Sequence, residues 1–239
     1  GNEDWIFFKN NTSSWFIFEN VLNDNKLSEL QKYCIKIIAI HVCLSELWKK
    51  WGINPDIIVG HSFGEISSCY LSGIYNIFDT IELALKIAEE VEKEKGWLCH
   101  GYNLNLVDNT YYSSINFKNN EKVYSTVCGL DDTLDIFLKK NQDAKKMYLK
   151  NPWHHKIYEN KKIKITKFNE SKIDLFLSST GSKIYTLKEN HWNNWLCNEC
   201  NMIDTISQIQ ELYPNETFNI IELGAHPVME QMVSNLSIK

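Results

Sequence analysis

Gly60-His61-Ser62-Phe63-Gly64 follows directly on the apolar run Ile57-Ile58-Val59 and leads into Glu65-Ile66, so a serine stands between two glycines where a strand turns into a helix. An elbow of this kind pushes the serine hydroxyl forward, where a neighbouring base makes it a nucleophile toward an acyl carbon. Glycine is expected at both 60 and 64 because side chains there would collide with adjoining backbone. The start of the following helix sets the Phe63 N–H beside developing negative charge, as the first donor of an oxyanion site. The chemistry predicted is nucleophilic attack by Ser62 with developing negative charge met by the Phe63 N–H.

Ser62 needs a base, and two histidines qualify. One is His154 in Asn151-Pro152-Trp153-His154-His155, and the other is His226 in Gly224-Ala225-His226-Pro227. In hydrolases built on this elbow the histidine comes late, with an acid between it and the serine, an order that favours His226 with Asp174 or Asp204 as the acid. His61 adjoins the nucleophile, so its side chain is expected to point away from it and to pack. His41 and His100 read as non-catalytic. Cys197 and Cys200 have metal-like spacing but no second pair, with only His191 close before them, and no metal site is expected.

The elements that must position these residues follow from periodicity. Over 27–51 the apolar positions Leu30, Ile37, Ile38, Val42, Leu44, Leu47, Trp48 and Trp51 recur at helical spacing, and Gly52 ends the helix. A second helix over 80–95, capped by Asp79 and stopped by Gly96, turns Leu83, Ala84, Ile87, Ala88 and Val91 inward. Before these, residues 4–25 carry many aromatics without a clear period, and only a short helix over 16–22 is placed. From 96 to 151 the texture changes to strands near 97–100, 112–116 and 122–127, a helix over 131–140 and a strand over 146–149, the pattern of a compact α+β insert. Beyond it come an extended stretch at 161–168, a strand at 175–178, a helix over 203–212, a last strand at 219–224 and a terminal helix from Pro227. Strands interleaved with helices predict a mostly parallel sheet covered on both faces.

The chain has 239 residues, 44% of them hydrophobic, enough for one large domain carrying a smaller one. A formal charge of −5 argues against a nucleic-acid partner, and no apolar run approaches a membrane span. All 25 basic residues are lysines, so the chain offers no bidentate guanidinium clamp for a carboxylate. Seven scattered cysteines, an odd number, suit a reducing compartment, and a cytoplasmic location is expected. Asn10 and Asn11 lie in glycosylation-type sequons but read as ordinary surface residues.

The run Leu47-Trp48 through Trp51-Gly52-Ile53-Asn54-Pro55-Asp56 and the elbow to Ile66, continuing to Tyr70 and Gly73, resembles the acyltransferase domains of polyketide and fatty acid synthases, including malonyl-CoA:acyl carrier protein transacylases. Similar segments follow in family order: Trp97-Leu98, the strand and turn from Val123, Pro152-Trp153-His154, Ser178-Ser179-Thr180-Gly181, His191-Trp192, and Ile221-Glu222-Leu223-Gly224-Ala225-His226-Pro227-Val228. The resemblance implies an α/β fold: an α/β-hydrolase-like large subdomain from residues 1–95 and 152–239, with a ferredoxin-like small subdomain, 96–151, inserted. It places the base at His154 and makes His226 structural. It implies no permanently bound cofactor, an acyl-CoA donor, and the phosphopantetheine thiol of an acyl carrier protein as acceptor, within a multidomain synthase. Related expectations are a hydrolase that clears acyl groups from a carrier, or an inert domain kept for structure or docking.

Three departures from the family pattern refine this. The family's Gly-Gln-Gly element, which helps form the oxyanion hole, would precede residue 1, because Trp15 to Leu22 already resemble the segment after it; a truncated domain or a lost core strand is expected. The arginine that grips a malonyl carboxylate is replaced by Ile87, beside Lys86, so a neutral acyl group is expected. Trp153 is bulkier than the family's residue and narrows an acyl pocket expected to include His61, Ile87 and Trp153. Lysines Lys139, Lys140, Lys145 and Lys146 are candidates for docking an acidic carrier protein.

Overall fold

Two long helices form the wall behind the nucleophile, and both start on side-chain caps. In the computed structural model, which describes residues 2–165, 168–234 and 236, helices α1 (Asn2–Asn11) and α2 (Trp15–Leu22) precede α3 (Glu29–Lys50). The start of α3 is a reciprocal capping box between Ser28 and Gln31, and its inner face buries Ile35, Ile38, Val42 and Leu47. Beyond the elbow, α4 (Gly64–Leu71) leads to α5 (Ile77–Glu92), capped not by Asp79 but by Asn76, whose side chain accepts from the Phe78 and Asp79 N–H groups. No periodic pattern marks α1; Phe8 stacks on Trp15 at 6.5 Å between ring centres, a contact between helices that periodicity does not register.

The larger part is built on a sheet of order β1-β6-β7, from β1 (Ile57–Gly60), β6 (Asp174–Leu177) and β7 (Ser182–Ile184). β1 and β6 are parallel, with Gly60 opposite Leu177, so the chain leaves both strands at the same end. β7 runs antiparallel to β6, and this sheet is therefore mixed rather than mostly parallel. The smaller part is a sheet of order β5-β2-β4-β3-β8, from β2 (Gly96–Tyr102), β3 (Thr110–Asn119), β4 (Lys122–Leu130), β5 (Lys145–Lys146) and β8 (Cys200–Asn201). A 3-10 turn and α6 (Leu134–Lys140) cover one face, with Trp97, Cys99, Val127 and Phe137 as its core. β8 follows α7 (His191–Cys197) and pairs with β3 through Ser114 and Cys200, so the two parts are stitched together beside the site. Helix α8 (Met202–Leu212) packs Met202, Ile206 and Ile209 against Phe176.

Three sequence expectations fail here. Residues 219–224 form no strand, and Ile220 and Ile221 are exposed; an apolar run becomes a strand only where a neighbour takes its N–H and C=O groups, and among the described residues none does. After Pro227 the chain makes turns over 230–234 rather than a helix; 235 and 237–239 lie outside the described residues. The strand expected at 146–149 shrinks to Lys145–Lys146. Residues 161–165 are irregular, and the rest of the stretch expected to be extended includes 166 and 167, which are outside the described residues. Among the described residues no helix is long and apolar enough to cross a membrane.

Candidate active site

The elbow after β1 holds Ser62 at φ +49°, a left-handed conformation uncommon for a side chain larger than glycine's. A Cβ on Gly60 would sit 2.8 Å from the Glu65 Cα and 2.9 Å from the Ser68 Oγ, so β1 and α4 can approach only with glycine there. Gly64 differs from the expectation: a Cβ there would meet only the His41 ring, at 4.0 Å. The elbow is crowded on the strand side alone. The Phe63 N–H makes no hydrogen bond among the described residues and lies at the N-terminus of α4, placed to serve as the oxyanion donor.

Ninety-two positions later the chain brings His154 back, with its Nε2 2.9 Å from the Ser62 Oγ. Its other nitrogen, Nδ1, is 2.7 Å from the Trp195 carbonyl oxygen. A carbonyl can only accept, so Nδ1 carries the hydrogen and Nε2 presents its lone pair to the serine. His154 also has a positive φ, +61°, and the Cys128 thiol donates to its carbonyl at 3.6 Å. Burial pulls its pKa down to about 4, partly opposed by the Trp195 carbonyl, so the imidazole is neutral across the neutral range. The pair is a serine–histidine dyad whose histidine is oriented by backbone. Asp174 is instead paired with Lys183 at 2.6 Å, and Asp204 sits in the first turn of α8 beside its Asn201 cap.

His226 lies exposed in an irregular segment, and no hydrogen bond joins it to Ser62. His61 turns from the nucleophile, with its Nδ1 3.2 Å from the Ser178 Oγ. Trp153 stands edge-on to Phe63 at 5.8 Å, and Trp195 continues the wall, 6.3 Å from Trp153 and 4.6 Å from the His154 ring. The ring N–H groups of Trp153 and Trp195 are buried without partners, so ring packing holds this wall. Ile87 is fully enclosed by the main core. Beside it, Lys86 points outward to Glu82, 2.6 Å away, and to the Lys164 carbonyl. Outside the C-terminal end of β6 lies a cavity of about 500 Å³, lined among others by Ser178, Thr180, Leu187, Asn194 and Trp195; His61, Ile87 and Trp153 do not line it.

Sequence reasoning missed Glu65, Ser178, Trp195 and Cys200 as parts of this site. Glu65 is fully buried and accepts from the Ser178 hydroxyl at 2.8 Å, the Ser179 N–H at 2.7 Å and the Ser179 hydroxyl at 2.6 Å. The Cys200 sulfur lies 3.7 Å from the His154 Nε2 and 3.9 Å from the Glu65 Oε1. Lys139, Lys140, Lys145 and Lys146 are exposed on the smaller part, where Lys140 is tied to the Leu106 carbonyl at 2.9 Å.

A family profile described as "Acyl transferase domain" matches residues 8–96, a stretch that includes the elbow. The acyltransferase domain from the second module of the salinomycin polyketide synthase superposes with a TM-score of 0.77 at 14% identity, covering all of this chain and 64% of that one. The chain is acyltransferase-like in sequence and in fold. A loading acyltransferase from the avermectin modular polyketide synthase gives 0.77 at 16% identity, over 92% of this chain and 76% of that one. MCAT from Streptococcus pneumoniae gives 0.72 at 17% identity, over 90% and 79%. In sequence, the non-reducing polyketide synthase pks27 of Aspergillus flavus is 24% identical over 234 residues, 87% of this chain and 11% of that protein. Crz7 of Cladonia metacorallifera, another such synthase, is 33% identical over 72 residues, 30% of this chain and 3% of that protein. The acyltransferase-like chain thus spans a small fraction of its curated relatives' length. Its fold class is α/β, with the two-subdomain architecture of these domains.

Proposed function

We propose that this chain is an acyltransferase of polyketide-synthase type, loading a short neutral acyl group from coenzyme A onto Ser62 and passing it to the phosphopantetheine thiol of an acyl carrier protein. The observation that carries the reading is the directed chain from the Ser62 hydroxyl to the His154 Nε2, with Nδ1–H donating to the Trp195 carbonyl. His154 takes the proton from Ser62 as Oγ attacks the thioester carbonyl, and the Phe63 N–H faces the oxyanion. Collapse expels the thiolate, which receives that proton from His154. The carrier thiol then gives its proton to His154 and attacks the ester, and Ser62 is regenerated.

Neutral selectivity rests on the position where a cation was expected: the chain has no arginine, Ile87 is in the core and Lys86 is turned outward, which leaves the exposed Lys188 at the cavity beyond β6 as the cation to test by Lys188→Ala. An unpaired carboxylate at the acyl position costs about 3 kcal/mol, roughly a hundredfold in rate. The exposed lysines Lys139, Lys140, Lys145 and Lys146 suit an acidic carrier face. The hydrolase reading differs only in the acceptor, water replacing the carrier thiol.

The test is intact-mass spectrometry after exposure to a panel of acyl-CoAs, followed by carrier protein at low and high salt. A single acyl adduct is expected, absent in Ser62→Ala, forming faster from acetyl-CoA than from malonyl-CoA, and moving to the carrier less readily at high salt. Adducts that persist in Ser62→Ala, or malonyl loading at an equal or higher kcat/KM, would refute the corresponding part. Loss of the adduct to water without carrier would establish the hydrolase.

A further inference from the structure

Glu65 is a buried titratable group that the proposed chemistry does not use. Its carboxylate lies under the elbow, held by three donors from the turn after β6. The Ser178 oxygen that donates to it also accepts from the Ser62 backbone N–H at 3.3 Å. A hydroxyl has one proton. Once the Ser178 hydroxyl spends it on Glu65, its oxygen can only accept, so the His61 Nδ1 at 3.2 Å must donate as well. The result is a one-way chain, in which the Ser62 N–H and His61 Nδ1–H point to Ser178 and the Ser178 O–H points to Glu65.

We propose that Glu65 is a positioning residue for acylation: as a carboxylate it orients Ser178 to clasp the backbone N–H of Ser62, and its ionisation sets the acidic limb of Ser62 reactivity. The inference rests on Ser62 being the nucleophile. A protonated Glu65 has to donate, which reverses the Ser179 hydroxyl or turns the carboxyl toward His191, whose Nε2 is 3.9 Å from Oε2 and buried without a hydrogen-bond partner. Either change weakens the acceptor behind Ser178. The groups facing Glu65 are Cys69 on its own helix, His61 through Ser178, His191 on α7, and Cys200 on β8, which links it to His154. Burial pushes Glu65 up to about 7, while His154 and His191 are pulled down to about 4, so near neutrality the carboxyl is the group that changes charge.

The experiment measures the rate at which a fluorophosphonate and acetyl-CoA each label Ser62, from about pH 5.5 to pH 8.5, in the wild type, Glu65→Gln, Ser178→Ala and Glu65→Ala, with melting temperature followed alongside. Glutamine reproduces the protonated form. The wild-type rate should rise about tenfold with pH around neutrality, the difference between a charged and a neutral acceptor. Glu65→Gln should stay flat at the wild-type acidic rate, Ser178→Ala should be slow and flat, and Glu65→Ala should fall below Glu65→Gln. A Glu65→Gln or Ser178→Ala profile that keeps the wild-type limb overturns the proposal, as does Glu65→Gln reacting at the wild-type rate throughout. Phosphonate labelling with these profiles but no acyl-CoA labelling would instead sink the transferase reading and leave the positioning role standing.

Discussion

At the residue scale the site is a dyad, and among the described residues no acid pairs with its histidine. Its tautomer is set by a backbone carbonyl, so its orientation does not depend on a second ionisable side chain. Removing the base should be costly in rate and cheap in fold: His154→Ala is expected to lower Ser62 acylation by about a hundredfold to ten-thousandfold with a nearly intact circular-dichroism spectrum, whereas His226→Ala should leave the rate within about twofold. A slow His226→Ala enzyme and a fast His154→Ala enzyme would reverse the assignment. Two histidines were candidates because both follow the serine beside turn residues. The order of residues along the chain favoured His226; family resemblance favoured His154, whose Nε2 lies 2.9 Å from the Ser62 Oγ.

At the element scale, the junction of β1 and α4 is tightly constrained. It presents Ser62 at a left-handed φ, and α4 starts so close to β1 that position 60 has no room for a methyl group. Gly60→Ala should therefore destabilise the protein by about 1–3 kcal/mol or more and suppress Ser62 labelling. Gly64→Ala, whose new methyl group would only touch the His41 ring, should be tolerated in both respects. Paired thermal melts and labelling rates check this, and equal damage at the two positions would contradict the crowding argument. The motif shows two symmetric glycines; only the packed helix shows that one of them is sterically required. Strand assignments succeeded where a neighbour existed, as for β1 against β6, and failed at 219–224, where the described residues offer none.

At the scale of the whole molecule, burial of ionisable groups makes stability depend on pH. Burial lowers His41, His61, His154 and His191 to about 4 from an ordinary 6.5. In the range between those values the unfolded chain binds more protons than the folded one, so these groups stabilise fully above about pH 6.5 and progressively less as pH falls toward 4. For His154 and His191, the least exposed, a shift fully realised is worth about 3 kcal/mol each. Glu65, raised to about 7, acts with the opposite sign, because its burial costs stability as pH rises from the ordinary carboxylate range through 7. Four histidines outweigh one glutamate, so the melting temperature should be lower at pH 5 than at pH 7.5. A melting temperature that holds or rises on acidification would show that these histidines are solvated in the folded protein.

By itself the sequence determined what is local. The strand, the elbow, the serine and the helix after it lie within about fifteen consecutive residues, and the apolar periods of α3 and α5 repeat within a turn or two, so backbone geometry follows from neighbouring side chains. Only the tertiary structure decided what depends on distance in the chain. His154 reaches Ser62 across 92 positions, Glu65 reaches Ser178 across 113, and the group that orients the base is a main-chain carbonyl that any residue at 195 would possess. Contacts of that kind leave no period to read, and the carbonyl at 195 leaves no residue type either. They come from the parallel pairing of β1 with β6, which sets the turn after each strand side by side, and from β8, which carries Cys200 beneath the histidine.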